Sequence, residues 1–91
     1  MNTRDEVRAF VAKLLRQKGD QAPLGDSDSL ILTGRLESID AIEIVTFLET
    51  RFGLDFAKIG FDQTQIDSVD LIVALAQTYG QASRAASNSA S

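Results

Sequence analysis

The chain contains no cysteine, no histidine and no tryptophan, and only one proline. Without cysteine there is no disulfide and no protein thiolate. Without histidine there is no imidazole base, and the two absences together remove the commonest metal ligands. Carboxylates remain, but no catalytic pair converges at any motif, so neither an enzyme nor a metal site is expected. Apolar runs are short of the roughly 20 residues that a membrane span needs. The charged, amphipathic N-terminus has no signal-peptide core, so a cytoplasmic protein without membrane insertion is expected. A net charge of −4 argues against nucleic acid as a partner. Strand signals are weak throughout and internal repeats are absent.

What the 91 residues do provide is one domain, with 44% apolar residues for a modest core. Charge is unevenly distributed. Residues 1–18 hold five basic groups (Arg4, Arg8, Lys13, Arg16, Lys18) against Asp5 and Glu6, whereas residues 20–80 hold eleven acids and only Arg35, Arg51 and Lys58. An acidic body of this kind suits basic partner surfaces.

Helical periodicity dominates. Thr3 and Glu6 read as a capping box, after which Val7, Phe10, Val11, Leu14 and Leu15 line one face and Gly19 stops the helix. Residues 20–37 read as a long loop rich in Asp, Ser and Gly, with Leu30, Ile31, Leu32 and Leu36 expected to tuck it onto the core. A second helix spans about Ser38 to Phe52 and ends at Gly53. Its core stripe is Ala41, Ile44, Val45, Leu48 and Phe52. A short third helix is expected between Ala57 and Gln65. The last helix starts at Asp67 or Ser68, buries Val69, Ile72, Leu75, Ala76 and Tyr79, and ends at Gly80. The expected fold is all-α: a small antiparallel four-helix bundle of three main helices and one short one, with a long loop between the first two. Residues 1–80 form the domain, and 81–91, rich in Ala and Ser, are expected to be a disordered tail.

Opposite the core stripe of the second helix, Ile39 points outward with Glu43, Thr46 and Thr50, while Asp40 and Glu49 lie on the flanks. An isoleucine facing solvent beside a helix-start serine is not explained by folding. Ser38 alone has a plainer account, as the cap of the helix. Its setting carries more. The segment Gly34-Arg35-Leu36-Glu37-Ser38-Ile39-Asp40-Ala41-Ile42-Glu43-Ile44-Val45, followed by Phe47-Leu48-Glu49 and Arg51-Phe52-Gly53, resembles the acyl carrier protein family. That family has a loop ending in Asp-Ser-Leu, then an acidic helix with a Glu-Leu-Val step and a Leu-Glu before Phe-Gly. The likeness in helix order and spacing extends from about residue 4 to residue 80.

The resemblance implies that Ser38 is the attachment point of 4′-phosphopantetheine, transferred from coenzyme A by a phosphopantetheinyl transferase. The arm's thiol would hold an acyl or aminoacyl group as a thioester, so a protein without cysteine would present thiol chemistry borrowed from its cofactor. Glu37, Ile39, Asp40, Glu43 and Glu49 match positions that meet partners. These would be the transferase, an acyl- or aminoacyl-activating enzyme, and an acyltransferase or synthase, all served by a discrete monomer acting in trans. The cargo (fatty acyl, hydroxyacyl, aminoacyl or polyketide) stays open. Glu37 replaces the family's usual Asp before the serine, which points to a specialised carrier. An alternative is an unmodified helical interaction domain that uses only the acidic face of the second helix.

Other motifs have plainer readings. Asp67-Ser68-Val69-Asp70-Leu71 also pairs acid with serine, but only one helix fits after it, which suits a cap. Asp26, Asp28 and Glu37 fall at calcium-loop spacing, yet Leu30 and Ile31 occupy positions that such a loop gives to a ligand and to glycine. Phe47, Phe52, Phe56, Phe61 and Tyr79 read as core rather than as a ligand cage. The basic face of the first helix, evenly mixed with acids, reads as solvated.

Overall fold

The computed structural model describes residues 2–80; the expected tail, 81–91, lies outside the described residues. These residues form α1 (Thr3–Gln17), α2 (Ser38–Phe52), the single-turn α3 (Phe56–Ile59), a 3₁₀ turn (Gln63–Ile66) and α4 (Val69–Tyr79), with no strand among them. No helix among the described residues is long and apolar enough to cross a membrane.

Each long helix follows its apolar spacing. In α1, Val7, Val11, Leu14 and Leu15 are buried, and in α2, Ala41, Ile44, Leu48 and Phe52. They merge with Val69, Ile72, Val73, Leu75 and Ala76 of α4 into one core. Burying a Leu, Ile or Val side chain of this kind contributes about 1.5–3 kcal/mol. Three contacts fix α1 and α2 as antiparallel neighbours. Glu6 near the start of α1 accepts from Arg51 Nε near the end of α2 at 2.9 Å. Phe10 stacks on Phe47 with ring centroids 4.2 Å apart. Lys18, just past α1, meets Glu37 and Asp40 at the start of α2.

The ends of the helices differ in detail from the sequence expectation. α1 is capped by Asn2, whose side chain accepts from the Asp5 amide at 2.8 Å, rather than by Thr3. Asn competes well for a cap because its short carbonyl reaches the first-turn amides. Gly19 and Gly53 end α1 and α2 at φ 83° and 73°, in the left-handed region where a side chain would be strained. The expected short helix is two pieces. Gly60 at φ 78° separates α3 from the 3₁₀ turn, each started by an aspartate side chain, Asp55 and Asp62.

The long loop is packed rather than free. Leu30 and Leu36 are fully buried and Ile31 partly so, while Leu32 is 79% exposed, contrary to expectation. Polar ties pin the backbone. Arg35 forks onto Asp20 (Nε–Oδ2 3.0 Å), Arg4 and Arg8 both bind Asp26, and Arg4 also reaches Asp70 on α4. The basic groups of α1 are thus partly spent inside the molecule. Asp67 does not cap α4; Ser68 does, accepting from the Leu71 amide at 3.2 Å. Asp67 instead gathers the loop, accepting from Ser29 Oγ at 2.5 Å and from the Ile31 and Leu32 amides at 2.7 and 3.0 Å.

These ties give stability a pH dependence. Arg35 holds the Asp20 carboxyl below its usual value, Arg8 and Arg4 do the same to Asp26, and the Thr64 amide and hydroxyl to Asp62. At Asp67 burial pushes upward, but the bonds from Ser29, Leu32 and Ile31 outweigh it, so this carboxyl is also lowered. A carboxyl whose folded pKa lies below its unfolded one stabilises the fold above the unfolded value and ceases to as pH falls through the folded one. The melting temperature is therefore expected to hold from pH 7 towards 5 and to decline as pH drops through 3.8, the ordinary value. A melting temperature unchanged down to pH 2.5 would contradict these pairings.

Candidate functional site

Ser38 opens α2 as its first helical residue, and Glu37, in extended conformation at φ −108°, is the cap residue before it. The start of the helix is closed from within the first turn, where Asp40 Oδ2 accepts from the Glu37 amide at 2.8 Å. Glu37 and Asp40 close the helix start as a capping box, and the Ser38 hydroxyl, one position past the cap, takes no part in it. It is exposed and makes no hydrogen bond. The cap reading of Ser38 is thereby replaced.

The loop delivers Ser38 through a tight bend. Gly34 takes φ 83°, its amide donates to Ile31 O at 3.0 Å, and the Leu36 amide donates to Leu30 O at 2.9 Å. Leu36 is buried immediately before Glu37, which anchors one side of the serine. Beside Ser38 lies an open groove of about 490 Å³, lined by Ile31, Gly34, Leu36, Glu37 and Ile39. The first amides of α2 have no carbonyl one turn back to bond to, and they face the same end. With the helix dipole they favour an anion there.

The outer face of α2 carries two apolar groups. Ile39 is 67% exposed and Ile42 63%. Glu43 and Glu49 are exposed and unpaired. Thr46 turns its hydroxyl back to Ile42 O at 3.0 Å and so asks for no other partner. Ile42 was missed in the sequence, although it sits one helical turn from Ile39.

The two remaining acids are differently placed. Glu37 has an exposed side chain, but its Oε1 is 2.6 Å from Lys18 Nζ. Asp40, expected on an open flank, is 6% exposed, with its carboxylate held by the Glu37 amide and by Lys18 at 3.0 Å. Its side chain shapes the start of α2 instead of facing outward. Glu37 and Asp40 together hold the Lys18 ammonium above the usual lysine range.

The other motifs resolve into structure. Phe47 stacks on Phe10 and meets Phe52 edge-on, and Phe56 meets Phe61 edge-on, but Phe61 and Tyr79, expected in the core, are exposed. Asp26 is engaged by Arg4 and Arg8, and Asp28 accepts from the Gly25 amide at 2.8 Å. A groove of about 540 Å³ between α1 and α2 is lined by Phe10, Glu43, Thr46, Phe47, Thr50 and Arg51. No family model matches the chain, and neither a curated protein nor a solved structure is found to be similar to it.

Proposed function

We propose that this chain is a carrier protein of the acyl-carrier type, with Ser38 as the attachment point for 4′-phosphopantetheine and the fold an acyl-carrier-like bundle. The observation that carries this reading is the state of Ser38: exposed at the first position of α2, unbonded, and relieved of capping by Asp40. The exposed Ile39 and Ile42 beside the unpaired Glu43 and Glu49 support it as the surface that partners meet. Acids of this kind raise encounter rates with basic partner enzymes, and salt screens them.

The residues suit the group. The Ser38 oxygen is accessible to a phosphorus centre, the groove beside it leaves room for an arm to depart, and the helix start favours a phosphate. In the attachment step the Ser38 oxygen bonds to the pantetheine-side phosphorus of coenzyme A. The pyrophosphate bond breaks, 3′,5′-ADP leaves, and the serine proton passes to a base of the transferase. Once in place, the arm supplies a thiol that holds an acyl or aminoacyl group as a thioester. The protein itself catalyses nothing; it orients the serine, keeps the arm at one end of the bundle and offers the α2 face to successive enzymes.

The test is the intact mass of the protein after incubation with coenzyme A and a broad-specificity phosphopantetheinyl transferase. One phosphopantetheine is expected on the wild type and on Ser68→Ala. No gain with several different transferases would overturn the proposal in favour of the unmodified interaction domain. The same α2 face would serve that second reading, since it needs no modification to bind a basic protein surface.

Either reading makes Ile39 a contact residue. On the carrier reading Ile39→Asp is expected to lower kcat/KM for arm transfer by about tenfold. It should shift stability by no more than about 0.5 kcal/mol, because the side chain is exposed and an acid suits the first turn. A cooperative loss of structure in this variant would place Ile39 in the core and refute the face assignment.

A further inference from the structure

On the carrier reading, which this inference takes as given, a phosphodiester anion is built at Ser38 between two carboxylates. Glu37 immediately precedes it and Asp40 follows two residues later. Uncompensated, those charges would cancel the pull of the helix dipole on the new anion and repel it. They are compensated by one cation. Lys18 Nζ lies 2.6 Å from Glu37 Oε1 and 3.0 Å from Asp40 Oδ2, and no other Lys or Arg among the described residues pairs with either acid. Arg35, nearer in sequence, is committed to Asp20.

Lys18 is delivered by the end of α1. Its amide donates to Leu15 O at 3.0 Å, and Gly19 turns the chain away directly after it. Its side chain is only 25% exposed and that of Asp40 8%, so their attraction is less screened than at an open surface. We infer that Lys18 is a positioning residue of the Ser38 site: it neutralises the carboxylates of Glu37 and Asp40 so that an anion can be formed at the start of α2. With Lys18 in place, the three side chains sum to a single negative charge beside the serine; without it they sum to two. The same pairing explains the extra methylene of Glu37. The longer side chain reaches Lys18 Nζ, while Asp40 accepts from the Glu37 amide and pairs with Lys18 from the other side.

The role separates chemistry from binding. Losing Lys18 exposes Glu37 to a basic transferase, which helps binding, and loads the phosphoryl-transfer step with unbalanced negative charge. Lys18→Met is expected to lower kcat for arm transfer by about tenfold without raising KM, and Lys18→Arg to stay within about threefold of the wild type. The deciding variant is Lys18→Met combined with Glu37→Gln. Removing the cation and one anion together should restore kcat to within about threefold of the wild type. If Lys18 were only a clip between α1 and α2, the double variant would be as slow as the single one, and that result overturns the inference. Lys18→Gln keeps the test open should Lys18→Met not fold: it keeps a polar side chain but no charge, its kcat is expected to fall about as far, and a wild-type kcat counts against the role.

These outcomes stay distinct from failure of the carrier reading. A wild type that takes up no arm refutes the carrier, and the inference goes with it. A wild type that loads while Lys18→Met loads with unchanged kcat refutes the inference alone.

Discussion

Ser38→Ala is expected to take up no phosphopantetheine under conditions that load the wild type fully, and to melt at almost the wild-type temperature. Both halves follow from one placement. The hydroxyl is the only atom of the side chain that the attachment step uses, so the loss of loading is complete rather than partial. In the fold that hydroxyl contributes little, because Asp40 closes the start of α2 by accepting from the Glu37 amide. A serine that capped the helix would cost about 1 kcal/mol on truncation to alanine. Here the change should stay within about 0.5 kcal/mol, with alanine well suited to a first helical turn. Intact mass and a melting curve on the same sample decide the matter. A drop near 1 kcal/mol would return Ser38 to the role of cap, and residual loading would point to a second acceptor.

The largest effect on stability is expected at Asp67. Only 8% of this residue is exposed, and its carboxylate serves three donors: Ser29 Oγ and the Ile31 and Leu32 amides. Asp67→Ala strands two backbone amides of the loop and removes hydrogen bonds to a charge, each worth about 1.5–3 kcal/mol. Part of that is recovered where the loop opens to water, so a net loss of about 3 kcal/mol is expected. In a domain of this size it corresponds to roughly 12–24 °C in melting temperature. Asp67→Asn should fall between, since its amide oxygen still accepts but carries no charge. Ser68→Ala, which removes only the cap on the Leu71 amide, gives the scale at about 1 kcal/mol. A loss at Asp67 no larger than that at Ser68 would show that the loop does not depend on its aspartate.

The helices were legible because their signal is local. Val7, Val11, Leu14 and Leu15, or Ala41, Ile44, Leu48 and Phe52, repeat at a spacing that needs no knowledge of what they pack against. Ile39 was legible by the same rule, as the residue opposite the stripe. Ile42 was open to that reasoning too, about 60° around the helix from Ile39 at 100° per residue. The partners of polar groups were not legible. Lys18 meets acids 19 and 22 positions away, and Asp67 meets donors 35 to 38 positions away; no local pattern encodes such pairs. Asp40 was misjudged for that reason: angular position put it on a flank, and Lys18 with the Glu37 amide drew it in. Cap preference misled at Thr3, which lost to Asn2, a neighbour with better geometry. Leu32 shows the limit of hydropathy in a loop. Its amide is committed to Asp67, and the backbone then turns its side chain outward.

The ties between the loop and Asp67 also bear on the order in which the molecule assembles. Closing Leu30 onto Asp67 spans a separation of 37 positions, and contacts of such separation form late because their loop entropy must be met before they stabilise anything. A chain still being synthesised holds α1 and α2 well before it holds Asp67. During that interval Ser38 has its helix but not the clamp that fixes the approach to it. The serine reaches its finished setting only when the last helix docks, so the arm transfer proposed above would belong to the completed domain rather than to the nascent one.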